Sequence, residues 1–396
     1  MRPNNTSANQ SRAQARKGRW AVAAMFLANG FMIGSWAPQI PVLLERFDIG
    51  ETTLGLLILA FGTGALLAMP WSGVLMARLG SAAVLRAFAL AASFGLLIVA
   101  LAPNVWLALP ALLYMGGSIG AMDVAMNSNA VAAERKLGRA IMSSSHGFWS
   151  LGGFAGGALG GVAIQAFGHV AHAACVTLVV LAVVVAAMRH VVTDDRPVAA
   201  GRAGFRLPAN PAVYLIGLMA LMSMVPEGAI LDWAALHLQK ALGADIATAG
   251  FAFAAFSATM ALMRFCGDTV RDRLGAVTTL RLSGLVAASG MLVGGLATNP
   301  YLAIAAFAFC GLGIANMVPI AFSAAGNQQG MSSSTGMSVV TTMGYCGILV
   351  APSAIGFIGE RTGFGPVFVG LSVLLVVVCL MASLARSAEF APQPAE

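Results

Sequence analysis

Twelve apolar stretches follow one another along the chain, each near or above the ~20 residues that carry an α-helix across a bilayer, with only short polar segments between them. Backbone N–H and C=O groups find no water in hydrocarbon, so a chain that spans it repeatedly must be helical or a closed barrel. A barrel needs short strands alternating polar and apolar side chains. Runs such as 175–188 and 367–385 show no such alternation. The expectation is an all-α polytopic membrane protein with spans at 19–44, 53–76, 83–101, 105–131, 140–166 and 170–189, then 211–238, 247–270, 277–297, 301–325, 335–359 and 365–386. Only 9% of the residues are charged, against roughly a quarter in soluble domains. The 46 glycines suit helices that approach closely in lipid. The apolar stretch that begins at residue 19 is much longer than a signal-peptide core, so it is read as the first span.

Basic residues orient the spans, because Lys and Arg collect in cytoplasmic loops. With the N-terminus inside, nineteen of the 22 fall on the cytoplasmic side, and only Arg46, Lys240 and Arg361 fall outside. The net charge of +7 therefore reports topology, and no nucleic-acid partner is implied. The organisation expected is a cytoplasmic tail at 1–18, a six-helix bundle at 19–189, a charged cytoplasmic linker at 190–210, a second six-helix bundle at 211–386 and a cytoplasmic tail at 387–396. The halves echo each other: Arg78-Leu79-Gly80 recurs as Arg273-Leu274-Gly275, Trp36-Ala37 as Trp233-Ala234, and Gly120 with Asp123 as Gly313 with Asn316, at offsets of 195, 197 and 193. Duplication of a six-helix unit accounts for all three.

Several functions are disfavoured. The five cysteines all lie in apolar stretches, no Cys/His group has zinc-ligand spacing, and none of the three lysines follows a GxxxxG phosphate loop. No nucleophile has a base at recognisable spacing, so an enzyme is not expected. No cofactor is implied.

Two strings between the second and third spans of each half, Gly73-Val-Leu-Met-Ala77-Arg78-Leu79-Gly80 and Asp268-Thr-Val-Arg-Asp272-Arg273-Leu274-Gly275, resemble the Gly-xxx-Asp-Arg-x-Gly signature of the major facilitator superfamily. The first lacks the acid and the second the leading glycine. Four further strings, Trp36-Ala-Pro-Gln-Ile-Pro41, Asp123-Val-Ala-Met-Asn127, Ser144-Ser-His146-Gly-Phe-Trp149 and Glu227-Gly-Ala-Ile-Leu-Asp232-Trp233, are similar to YbjJ-like bacterial inner-membrane proteins related to fucose permeases. The resemblance implies two pseudo-symmetric six-helix bundles in a bacterial inner membrane and a small-molecule substrate. Fucose permeases carry an acid in span one and a Glu-x-x-x-Asn pair in span four; Asp123 and Asn127 match the second, and the first is absent.

A charged side chain near the bilayer centre costs at least ~2.5 kcal/mol, so each one needs a partner or a water-lined cavity. Asp123 shares a helical face with Gly116, Gly120 and Asn127, and a carboxylate so placed can take and release a proton. Glu227, directly after Pro226, is the second candidate for proton coupling. Candidates for substrate contact are Asn29, Trp36, Gln39, Asn127, His146, Trp149, Asp232, Trp233, Asn316, Thr341 and Tyr345. Arg264, Asp268 and Asp272, at i, i+4 and i+8, can form an ion-pair ladder, and with Arg78 and Arg273 they are candidates for gating the inner face. With no ATP motif, the expected activity is secondary active transport of a small solute by alternating access, with protons as the coupling ion and both sugar-type uptake and drug or metabolite efflux left open. A non-transporting receptor or scaffold on the same fold is the alternative, and it has no need of protonatable cavity groups.

Overall fold

The structure, a computed structural model, describes residues 5–49, 51–193, 208–244 and 246–389. Among these residues there is no β-strand. The α-helices in chain order are α1 Asn5–Trp36, α2 Gln39–Phe47, α3 Glu51–Leu79, α4 Ser81–Ser93, α5 Gly95–Leu101, α6 Val105–Leu137, α7 Met142–Phe167 and α8 His169–Met188. The second half holds α9 Pro211–Leu242, α10 Ile246–Leu274, α11 Ala276–Leu296, α12 Pro300–Ile314, α13 Met317–Gly326, α14 Ser333–Thr362 and α15 Phe364–Met381, followed by a 3-10 turn over Ala382–Ala388. Among the described residues, ten segments are long and apolar enough to cross a membrane. With the long helices α1 and α10, every expected span has a helical counterpart.

The departures lie inside the spans, where proline or a side-chain hydroxyl disturbs the hydrogen-bond ladder. The first span breaks at Ala37–Pro38 and continues as α2, because Pro38 has no N–H to donate. The tenth breaks at Ala315–Asn316, where Pro319 cannot donate to the Ala315 carbonyl. The third breaks at Phe94: the Ser93 hydroxyl donates back to the Ala89 carbonyl at 2.7 Å, and the Ser93 carbonyl accepts from Thr177 Oγ1 at 2.9 Å. Helix α1 begins at Asn5, within the stretch expected as a tail. The charged part of the expected linker, Asp194 to Arg206, lies outside the described residues, as does the chain after Glu389.

The chain divides into two compact units, one made of Met1–Ile141, Ser145–Leu207 and Ser332–Ser338, the other of Met142–Ser144, Pro208–Met331 and Val339–Glu396. In the first unit α6 is the central helix, packed along α3 and against α1, α4 and α5. A glycine sets the closest approach: a Cβ on Gly116 of α6 would stand 1.8 Å from the Phe61 carbonyl oxygen of α3, so no larger residue fits at this spacing. In the second unit α11 packs on α12 and α15, and α10 packs on α12.

The duplication extends to the turns. Gly80 and Gly275 both adopt positive φ (83° and 80°) ahead of α4 and α11, Gly168 and Gly363 do so (83° and 78°) ahead of α8 and α15, and each pair is 195 residues apart. Asn104 and Asn299, again 195 apart, cap α6 and α12 by accepting from Leu107 N and Leu302 N. Positive φ excludes most side chains and an N-cap needs a short polar one, so these positions preserve backbone geometry rather than chemistry.

Candidate transport site

In the first unit, five of the polar residues singled out from the sequence come together where α1, α6 and α7 meet. Asp123 and Asn127 lie one turn apart on α6, 5% and 0% exposed. Asn127 Nδ2 donates to the Asp123 main-chain carbonyl at 2.9 Å and stands 3.4 Å from its Oδ1. A carbonyl can only accept, which fixes the amide and turns Asn127 Oδ1 toward His146, whose Nε2 is 3.1 Å away. His146 therefore carries a hydrogen on Nε2, as one neutral tautomer or as the imidazolium. The Phe26 ring lies against it, centroids 5.1 Å apart. One turn from His146 on α7, Trp149 Nε1 donates to Asn29 Oδ1 at 2.9 Å, and Asn29 Nδ2 reaches the Ile119 carbonyl at 3.4 Å. The result is a polar seam of two neighbouring bonded groups, Asp123–Asn127–His146 and Asn29–Trp149, linked along α7 by the one-turn spacing of His146 and Trp149.

Two candidates of this unit lie apart from the seam. Trp36 is buried and stacks on Phe61, centroids 6.2 Å apart. Gln39 is buried against α8, bonded to His169 and His172. His172 did not emerge from the sequence; two of the five histidines falling within one helical turn was the available signal.

In the second unit, Glu227 of α9 and Arg264 of α10 form an ion pair at 3.2 Å, with the Arg264 side chain 5% exposed and that of Glu227 27%. The partner expected for Arg264 was Asp268 on its own helix. Asp268 spreads its carboxylate over the first turn of α7, Oδ1 and Oδ2 accepting from Ser143 N and Ser144 N at 2.9 Å each, the place where free helix N–H groups favour an anion. Arg271, not singled out from the sequence, is buried and donates to Ser323 Oγ at 2.7 Å and to the Ala388 carbonyl at 2.6 Å. Asn316 sits fully buried at the break between α12 and α13, its Oδ1 so close to Gly267 that a Cβ there would stand 1.8 Å from it. Thr341 is buried on α14, with Tyr345 half-buried one turn on. Trp233 stacks on Phe364 at 5.0 Å beside the exposed Asp232. Arg78, Asp272 and Arg273 are exposed at helix ends. Among the described residues, no group of three or more His, Cys, Asp or Glu could hold a metal ion.

A polytopic all-helical chain, duplicated in its turns and carrying polar side chains inside its bundles, defines a membrane carrier. The Major Facilitator Superfamily model matches residues 214–396. An uncharacterized transporter of Sinorhizobium fredii is 34% identical over 90% of this chain and 96% of its own length. An uncharacterized MFS-type transporter of Yersinia pestis is 35% identical over 91% and 93%, and the membrane protein MosC of Rhizobium meliloti is 32% identical over 94% and 92%. The chain belongs to the major facilitator superfamily, and it is a transporter of a solute across a membrane. Its fold is shared by the E. coli fucose:proton symporter FucP (TM-score 0.75, 16% identity, 93% of this chain and 98% of that one). The human organic anion transporter TETRAN shares it too (TM-score 0.72, 15% identity, 93% and 99%).

Proposed function

We propose that the protein is a proton-coupled secondary transporter of a small polar solute, working by alternating access in a bacterial inner membrane with both termini in the cytoplasm. The observation that carries the reading is the buried carboxyl of Asp123, tied through Asn127 to the imidazole of His146. A buried acid is costly to keep charged, and a bonded network whose members titrate lets it change charge state without leaving a group stranded. Asn29, Asn127, His146 and Trp149 supply donors, acceptors and a flat ring on one seam, a set suited to a hydroxylated or otherwise polar solute. In the second unit Glu227 is the further coupling candidate, held by Arg264. Arg78, Asp268, Asp272 and Arg273 are proposed to stabilise the closed inner face, where charges at helix ends can pair in one state and part in another. The orientation rests on the nineteen basic residues assigned to the cytoplasmic side. One shared-fold neighbour is a fucose:proton symporter and another an organic anion transporter, so the fold leaves the solute open.

The test begins with thermal-shift screening of the purified protein against sugars, organic anions, amino acids and nucleosides, since a specific ligand stabilises the folded state by mass action. The best stabiliser is then followed in proteoliposomes. Asp123→Asn should abolish accumulation driven by a pH gradient while counterflow exchange persists, because exchange needs no net proton movement. Full gradient-driven accumulation by the variant removes Asp123 from coupling. A protein that binds a solute but never moves it is instead a receptor on the same fold.

A further inference from the structure

The outer continuation of the first span, α2, is fastened to α8 by one side chain. Gln39 is 2% exposed, and its Nε2 lies 2.9 Å from the His169 carbonyl oxygen and 2.9 Å from Nδ1 of His172. The carbonyl can only accept, so the amide must present its nitrogen there, and the second hydrogen of that nitrogen is left for His172. Nδ1 of His172 must then accept. This bond exists only while His172 is neutral with its hydrogen on Nε2. His172 is 4% exposed, and a Cβ on Gly160 of α7 would stand 3.2 Å from Nε2, so the ring has little room to turn away.

Protonation of Nδ1 sets N–H against N–H. Rotating the Gln39 amide would satisfy the imidazolium but would place Oε1 against the His169 carbonyl. In either arrangement one contact of the pair is lost, and no third orientation keeps both. The charged or titratable neighbours are Arg46 on α2, which donates to the Ala102 carbonyl just after α5, and His169, the first residue of α8. Glu45 and Asp48 are exposed toward the far end of α2. Of the other elements around α8, α5 and the apolar part of α1 carry no ionisable side chain, α4 has only Arg86, bonded to the Met188 carbonyl at the opposite end of α8, and α7 has only His146 near its start.

We propose that His172 is a positioning residue that reads the proton concentration on the outer side: neutral, it locks α2 to α8 through Gln39; protonated, it lets α2 go. Imidazole is the side chain whose charge state answers most readily to pH changes of the kind an outer surface experiences. The latch stands on this geometry and is independent of coupling at Asp123, while the side of the membrane it senses rests on the orientation proposed above.

Hydrogen exchange of the full-length protein in detergent, read on the peptide covering residues 37–49 at pH 5.5 and pH 8 and corrected for intrinsic rates, tests it without any ligand. Wild-type protection of that peptide should fall about tenfold at the lower pH while α6 peptides keep theirs. His172→Asn places an oxygen where Nδ1 stood, an acceptor at every pH, so protection should stay high at both. Gln39→Leu should be weakly protected at both. Wild-type protection that ignores pH, or a pH response that survives in His172→Asn, overturns the proposal. Should His172→Asn fail to fold, Gln39→Leu decides: loss of the pH response supports the latch, and a wild-type response refutes it.

Discussion

Breaking the Glu227–Arg264 pair should cost far more from one side than from the other. At 3.2 Å and an effective dielectric of ~20, the gross attraction is about 5 kcal/mol, most of it offset by the desolvation of both groups. The two ends are desolvated unequally, since Arg264 is 5% exposed and Glu227 27%. Glu227→Gln leaves an always-charged guanidinium in the bundle. Removing one partner of a buried pair costs about 3–5 kcal/mol, and the partial exposure of this one brings the expectation to roughly 2–3 kcal/mol. Arg264→Leu strands only a carboxylate that already reaches solvent in part, and about 1–2 kcal/mol is expected. The double variant should cost less than the sum of the two, with a coupling energy of about 1.5 kcal/mol or more. Unfolding of the four proteins by SDS titration in mixed micelles measures each quantity. Additivity within about 0.5 kcal/mol, or Arg264→Leu proving the more costly single change, refutes the reasoning.

Three further outcomes follow from packing, turns and docking. Gly116→Leu should abolish folded protein in size-exclusion profiles, because its Cβ would stand 1.8 Å from the Phe61 carbonyl oxygen; Gly117→Ala, with nothing nearer than 3.3 Å, should fold. Gly275→Ala, at φ 80°, should lose about 1–2 kcal/mol in the same SDS titration, with little change in transport. Arg271→Ala removes donors to Ser323 Oγ and the Ala388 carbonyl, and limited proteolysis should then cut near Ala382–Ala388 sooner than in wild type, with the rest of the chain equally resistant.

Span order and fold class were legible because they depend on the length and polarity of runs, which no tertiary contact can rewrite. Breaks within spans were legible only in part. Pro38 and Pro319 announce the loss of a donor, yet nothing local separates the interruption at Phe94 from an ordinary apolar stretch, since its cause is the Ser93 hydroxyl turning back to Ala89 and the Ser93 carbonyl turning to Thr177. The link from Asp123 to Asn127 could be read from i, i+4 spacing. The links from Asn127 to His146 and from Asn29 to Trp149 could not, because 19 and 120 residues separate the partners. Arg264 shows the limit of spacing arguments most plainly: it pairs with Glu227 of α9, 37 positions earlier in the chain, a partner that spacing along α10 cannot reveal. Gln39 was chosen for its polarity, but it is committed to α8 by histidines that spacing along α2 cannot reveal.

The duplicated scaffold also explains why coupling is proposed for one half first. Glycines and N-cap asparagines 195 residues apart hold the two backbones to one plan, while the side chains at the related positions Asp123 and Asn316 differ in the property that matters. A carboxyl can change charge within the working pH range of a cell and a carboxamide cannot. The second half does carry an acid, Glu227, but places it on α9 within 3.2 Å of a buried guanidinium. Any role for that acid in coupling therefore also involves its partner in the ion pair, Arg264 of α10. Asp123 stands beside the Asn127 amide, which in turn bonds the His146 imidazole. In a proton-coupled cycle Asp123→Asn should therefore abolish gradient-driven accumulation with little loss of folded protein, whereas Glu227→Gln should lower stability as well, because it breaks the ion pair with Arg264.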